Sequence, residues 1–271
     1  MQVFIDLILF LCLFIKYSSS NYLRCTSKCS QITVSFLDPL NIPNTCQENN
    51  NLTNIFDIAL VCIIDYRIDY DAEQIYINFK ASNDTHHFKE SLIQSLWLGF
   101  NQQANQPNIT HRNYGCNTQN DCGRKFYLNT IEYLVTDGRL KLNQIKSNLY
   151  NQSSIKRRCK DSSLEGNQSL IRCPHGLCYA MNIGKKQSCA VADTATLFSE
   201  IEYYFPKTNE NQRELIEYRC NKNVCNGNRM IDKIKTLILD YTNGNKKEKS
   251  LANNRKLSYY IFILSLIFVL N

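Results

Sequence analysis

The sequence predicts a disulfide-rich α+β ectodomain: a small antiparallel sheet with helices over residues 21–154, then a cysteine-rich, mainly β region over 155–227. Three observations carry this expectation. The chain has 13 cysteines in 271 residues. Its first half alternates apolar and polar residues at strand period, and helical spacing follows. Only 9 glycines and 5 prolines exclude collagen-like and low-complexity classes, and 44 % apolar with 20 % charged residues excludes wholesale disorder.

Both ends are set aside before fold reasoning. Val3 to Ile15 is a short apolar run, and Ser18 and Ser20 supply the small-x-small pattern of a signal-peptidase site. Residues 1–20 therefore read as a signal peptide. Its removal takes Cys12 and leaves 12 cysteines, an even number that points to a disulfide framework in an oxidising compartment. These are Cys25, Cys29, Cys46, Cys62, Cys116, Cys122, Cys159, Cys173, Cys178, Cys189, Cys220 and Cys225. Five sequons, at Asn51, Asn83, Asn108, Asn151 and Asn167, fit a glycosylated chain with its glycans on exposed loops. The formal charge of +7 falls to +5 without the tail after Ser250, too small a surplus to imply nucleic acid.

Within residues 21–154, Ile32 to Phe36 alternates as a half-buried strand does. Phe56 to Tyr70 is a longer β-rich run; Asp71-Ala72-Glu73 interrupts it and Ile75 to Phe79 resumes it, a hairpin pattern. Leu92 to Phe100 reads as a buried element that holds the only tryptophan, Trp97. Phe126, Thr130, Ile131, Leu134 and Val135 mark a helix with Asp121 as a candidate cap and Asp137-Gly138 as its stop. Leu142, Ile145 and Leu149 mark a second, short helix. No internal repeat of about 20–50 residues is evident.

Cys159 to Cys225 form a dense cluster whose small core needs bridges, each worth about 2–4 kcal/mol. The close pairs Cys116/Cys122 and Cys220/Cys225 either close small loops or meet distant partners. Residues 228–241 carry Met230, Ile231, Ile234, Leu237, Ile238 and Tyr241 on one helical face, as a docked amphipathic helix does. Residues 242–256 read as a polar linker and 257–271 as a hydrophobic C-terminal tail. Leu257 to Leu270 is shorter than the roughly 20 residues of a spanning helix. It fits a glycolipid-attachment signal with Ser250 as the modified residue, and a short spanning segment is the alternative.

Catalytic signatures are missing: there is no GxSxG, HExxH, Walker or GxGxxG pattern. The histidines are His86, His87, His111 and His175. A zinc half-site can be drawn through Cys173, His175 and Cys178, but no histidine lies near a second cysteine pair, and in an oxidising compartment the thiols would pair instead. Asp65 and Asp69 share a strand face that suits a cation, and a solvated sheet face is the plainer reading. The basic run Lys156-Arg157-Arg158 at the junction reads as a solvated linker, with proteolytic processing as the alternative.

The ending Cys220-Asn221-Lys222-Asn223-Val224-Cys225-Asn226 resembles the last cysteine pair and following asparagine of the three-finger family of lymphocyte antigens, the urokinase receptor and activin-receptor ectodomains. The resemblance covers residues 159–226. It implies a three-finger-like region, a Cys220–Cys225 bridge and an Asn226 that ties the chain together. The family usually has two adjacent cysteines where Arg219 and Cys220 stand here.

The functional expectation is a membrane-tethered glycoprotein of the cell surface, held on the extracellular face by its C-terminal tail. It acts as a binding or adhesion module for an extracellular protein or glycan. No enzyme activity, catalytic residue, cofactor, metal or nucleic acid is expected. The alternatives are a receptor-like ligand trap of three-finger type and a secreted hydrolase with a triad assembled from distant residues.

Overall fold

Strand-period alternation builds one large antiparallel sheet, and two amphipathic helices cover its apolar face. The computed structural model describes residues 22–244 except 30, 43–45, 47–54, 85–88, 101–107, 153–157, 165–168, 174–175, 192–193 and 206–211. Its first half holds β1 (Leu23–Thr26), β2 (Ile32–Ser35), β3 (Phe56–Ala59), β4 (Val61–Asp69), β5 (Gln74–Ser82), β6 (Glu90–Gly99), β7 (Ile109–Cys116) and α1 (Cys122–Leu149). Its second half holds β8 (Arg158–Lys160), β9 (Leu170–Arg172), β10 (Cys178–Met181), β11 (Lys186–Cys189), β12 (Thr196–Phe205), β13 (Gln212–Cys220) and α2 (Asn228–Asn243).

Nine strands join in the order β11-β10-β13-β12-β6-β7-β4-β5-β2, and β1–β3 and β8–β9 form separate ribbons. The expected small sheet of residues 21–154 is thus part of a larger one, because β6 pairs along its length with β12 of the cysteine-rich region. Successive side chains of a strand point to opposite faces. Ile64, Tyr66 and Ile68 of β4, Leu96 of β6, Leu197 and Ile201 of β12, and Ile216 and Tyr218 of β13 are buried under the helices. The intervening residues form a second face that no helix of the described residues covers, a permitted arrangement for antiparallel sheets.

The helical expectations need two corrections. One helix of 28 residues runs from Cys122 to Leu149, straight through the expected stop at Asp137-Gly138. A glycine stops a helix when its backbone turns left-handed; Gly138 is instead a point of close approach. A Cβ there would lie 3.0 Å from Tyr241 Cε2 and 3.1 Å from the Tyr70 hydroxyl, so glycine lets α2 press on α1. Asp121 does not cap α1 with its side chain. Its Oδ1 accepts from Thr26 N at 3.0 Å and so fastens β1 to the start of the helix.

All 12 cysteines outside residues 1–20 are paired: Cys25–Cys62, Cys29–Cys46, Cys116–Cys122, Cys159–Cys178, Cys173–Cys189 and Cys220–Cys225. Their layout exposes an internal duplication longer than the repeats sought in the sequence. One half orders its strands β5-β4-β7-β6 and the other β11-β10-β13-β12. Cys25–Cys62 ties β1 to β4, as Cys159–Cys178 ties β8 to β10. Cys62 lies opposite Cys116 in the ladder, as Cys178 lies opposite Cys220. Each of those last cysteines closes a short loop before a helix.

The local bonds repeat too. Arg24 N donates to Asn120 Oδ1 and Arg158 N to Asn223 Oδ1. The residue before each closing cysteine, Asp121 or Val224, has a φ of 53° and donates its N–H to the carbonyl of Arg24 or Arg158. Ser91 pairs with Gly115, the residue before Cys116, and Thr196 pairs with Arg219, the residue before Cys220. Counting on in step matches Ser95 with Glu200, and these two lie opposite each other where β6 meets β12. A pseudo-two-fold axis therefore passes through the middle of the sheet.

Candidate functional site

The uncovered face carries the most distinctive surface. Beside the pseudo-axis is a concavity of about 630 Å³ lined by Trp97, Phe198, Ile109, His111, Arg67 and Arg219 among others. Trp97 follows Leu96 on β6, so the alternation that buries Leu96 turns the indole outward. It is 52 % exposed. Trp97 lies directly opposite Phe198 on β12, and the two rings meet at 4.2 Å between centroids with a tilt of 43°. Aromatic pairs of this kind contribute about 0.5–1.5 kcal/mol beyond area burial. Here they form an apolar platform in a surface of charges.

Those charges are of both signs. Arg67 lies over the Tyr76 ring at 4.3 Å from its centroid. His111 hydrogen-bonds Asp65, and Lys80 Nζ lies 3.6 Å from the other Asp65 oxygen. The His111 bond, working against desolvation, holds the Asp65 carboxyl below its ordinary value. A carboxylate so engaged has its oxygens committed, which tells against the cation reading of Asp65 with Asp69. Asp69 Oδ1 accepts the backbone N–H groups of Asp71 and Ala72 and shapes the β4–β5 turn. On the pseudo-axis, Ser95 Oγ donates to Glu200 Oε2 at 3.3 Å.

A hydrolytic triad needs a hydroxyl bonded to the imidazole. The hydroxyl opposite His111 across the ladder is Ser95, and it bonds Glu200; no Ser95–His111 hydrogen bond forms among the described residues. The only group of three metal-ligand types clustered among the described residues is Cys178, Cys220 and Cys225. Its sulfurs belong to two disulfides, so none is a thiolate. Cys173 and Cys178 of the drawn zinc half-site also sit in different bridges.

Of the sequons, Asn83 is exposed just after β5, Asn108 donates Nδ2 to Asp71 Oδ1 at 2.8 Å, and Asn151 follows α1. None of the three lines the concavity. Asn51, Asn167, His86, His87, His175, Lys156, Arg157, Ser250, residues 1–20 and the tail 257–271 lie outside the described residues. Within the described residues, no helix is long and apolar enough to cross a membrane.

Sequence reasoning singled out His111 and Trp97 but placed the tryptophan in a buried element. Phe198 and Arg67 went unnoticed, and Arg219 stood out only for replacing a cysteine, because the β4–β7, β6–β7, β6–β12 and β12–β13 pairings are what bring them together. No protein-family model, characterised protein or solved structure matches this chain.

Proposed function

We propose that the protein is a membrane-tethered, glycosylated binding or adhesion module of the cell surface, without catalysis. Its uncovered sheet face is the contact for an extracellular protein or glycan. The observation that carries this reading is the exposed Trp97–Phe198 platform set among charges of both signs. Exposed tryptophans at the centre of a patch are frequent binding hot spots. Six disulfides support an oxidising, extracellular setting. Ser95 bonds Glu200 and not His111, so these two residues do not make a serine–histidine pair. The tether rests on the apolar tail and on Ser250 as its attachment point.

The receptor-like trap of three-finger type is a second reading. The Cys220–Cys225 bridge and the Asn226 contacts favour it: Oδ1 accepts from Lys160 N, and Nδ2 donates to the carbonyls of Lys160 and Tyr179. Against it, the first half has the same loop closure at Cys116–Cys122, which points to a duplicated unit.

The test is Trp97→Ala in the purified chain, applied to cells or a glycan array. Because the side chain is half exposed, stability changes little, and binding falls at least about tenfold if the face is a hot spot. Unchanged binding with unchanged folding would remove the platform from the interface.

A further inference from the structure

The opposite face of the sheet holds a buried cation with no counter-ion among the described residues. Arg112 of β7 shares its face with Thr110 and Tyr114, beneath the helices, and is 2 % exposed. Its Nε donates to Gln94 Oε1 at 2.6 Å and its Nη2 to the Thr242 carbonyl at 2.9 Å. The Thr242 carbonyl is one of the last of α2, so the negative end of that helix offsets part of the charge. No carboxylate lies within ion-pair distance of Arg112, and Nη1 has no acceptor among the described residues. A guanidinium taken out of water at such a site is strongly unfavourable unless it is fully paired.

Arg112 lies on the wall of a cavity of about 580 Å³ bounded by β7, α1 and the C-terminal end of α2. A volume of this size fits a small organic ligand. Beside Arg112 the wall is aromatic: Tyr114 and Phe126 stack with centroids 3.9 Å apart and planes 7° from parallel. Lys125 lines the same cavity, and so do Glu132 and Asp137. Two cations thus stand against two carboxylates.

We infer that this cavity binds a small aryl or alkyl monocarboxylate, with its carboxylate on the Arg112 guanidinium and its apolar body along Tyr114 and Phe126. A planar carboxylate fits the guanidinium fork. A dianionic phosphate would meet Glu132 and Asp137 with a second negative charge, so the lining favours the monoanion. The proposal is independent of the Trp97 surface, which lies on the other side of the sheet.

The experiment is calorimetric titration of the purified chain with phenylacetate, indole-3-acetate and hexanoate, with phenylacetamide and inorganic phosphate as comparisons. At least one of the three carboxylates binds saturably below millimolar concentration, and phenylacetamide binds at least tenfold more weakly than phenylacetate. Arg112→Gln abolishes carboxylate binding. Because loss of Arg112 also frees the end of α2 and can unfold the chain, Thr136→Trp serves as the second variant. Thr136 is an exposed residue of the cavity lining, so the indole fills the cavity while Arg112 stays in place. It too abolishes binding without lowering the melting temperature. Absence of binding by all three carboxylates, tighter binding of phosphate, or full binding in folded Thr136→Trp would each overturn the proposal.

Discussion

Asn226 shows how much of the fold hangs on one side chain. It is fully buried, and its amide meets the Lys160 N–H together with the carbonyls of Lys160, Tyr179 and Ser188. Three strands, β8, β10 and β11, are thereby held at the foot of α2. Truncation to alanine leaves several buried backbone groups unpaired, each at about 1–3 kcal/mol. Asn226→Ala is therefore expected to cost at least about 3 kcal/mol in denaturant unfolding. Asp121→Ala, which releases the part-buried Thr26 N–H in the other half, costs closer to about 1 kcal/mol. Equal and small losses would contradict the roles given to these residues. The buried tyrosines make a second residue-scale prediction. Tyr70 and Tyr241 share a 2.7 Å hydrogen bond, and burial pushes both hydroxyls up, Tyr241 to about 12. An acid whose folded pKa is raised stabilises the fold below its ordinary value and loses that contribution as pH rises through the folded one. The pair's contribution to stability is thus flat to about pH 10 and falls between about pH 10 and 12. Absorbance titration of tyrosinate, run beside circular dichroism, should show late ionisation that coincides with unfolding. Ionisation of all tyrosines near pH 10 with the fold intact would contradict the buried pair.

The same pair governs the contact between elements. Tyr241 of α2 reaches Thr110 of β7 as well as Tyr70, and Gly138 of α1 gives it room. Alanine at 138 improves intrinsic helix propensity by about 0.8–1.0 kcal/mol. The new Cβ, however, meets two hydrogen-bonded, buried rings that cannot yield, and overpacking of this kind costs about 1–3 kcal/mol. The clash wins, so Gly138→Ala lowers the melting temperature; a rise would mean that the helices are not in close contact there. This position also explains why the helix stop was misread. A glycine after an aspartate is a stop signal in the local sequence, and only the partner helix, about 100 residues away, reveals the other use of a missing side chain. Where the governing contacts are local, the sequence was legible: the β4–β5 hairpin, β2 and the amphipathic face of α2 all follow their periodicities.

At the scale of the whole molecule, the duplication joins two halves across β6 and β12 into one sheet with a covered and an uncovered face. It was hidden in the sequence because few marks survive in step. The first bridge spans 37 residues in one half and 19 in the other, although both closing bridges span nearly the same length, 6 and 5. The candidate site was equally hard to read, since Trp97 and Phe198 are neighbours only through the central ladder. His111 drew notice as a titratable residue, whereas Arg112, alternating with it on β7, did not. The sheet divides by face: one packs the helices, and the other is the proposed ligand contact. A glycan placed on each face tests that division most directly. Glu217→Asn with Arg219→Thr creates a sequon beside the aromatic platform without changing Trp97 or Phe198, and Arg139→Asn with Lys141→Thr creates one on the outer side of α1. With both variants secreted, glycosylated and folded, the first loses ligand binding and the second keeps it. Retained binding in the first variant, or loss confined to the second, would contradict the assignment of the uncovered face.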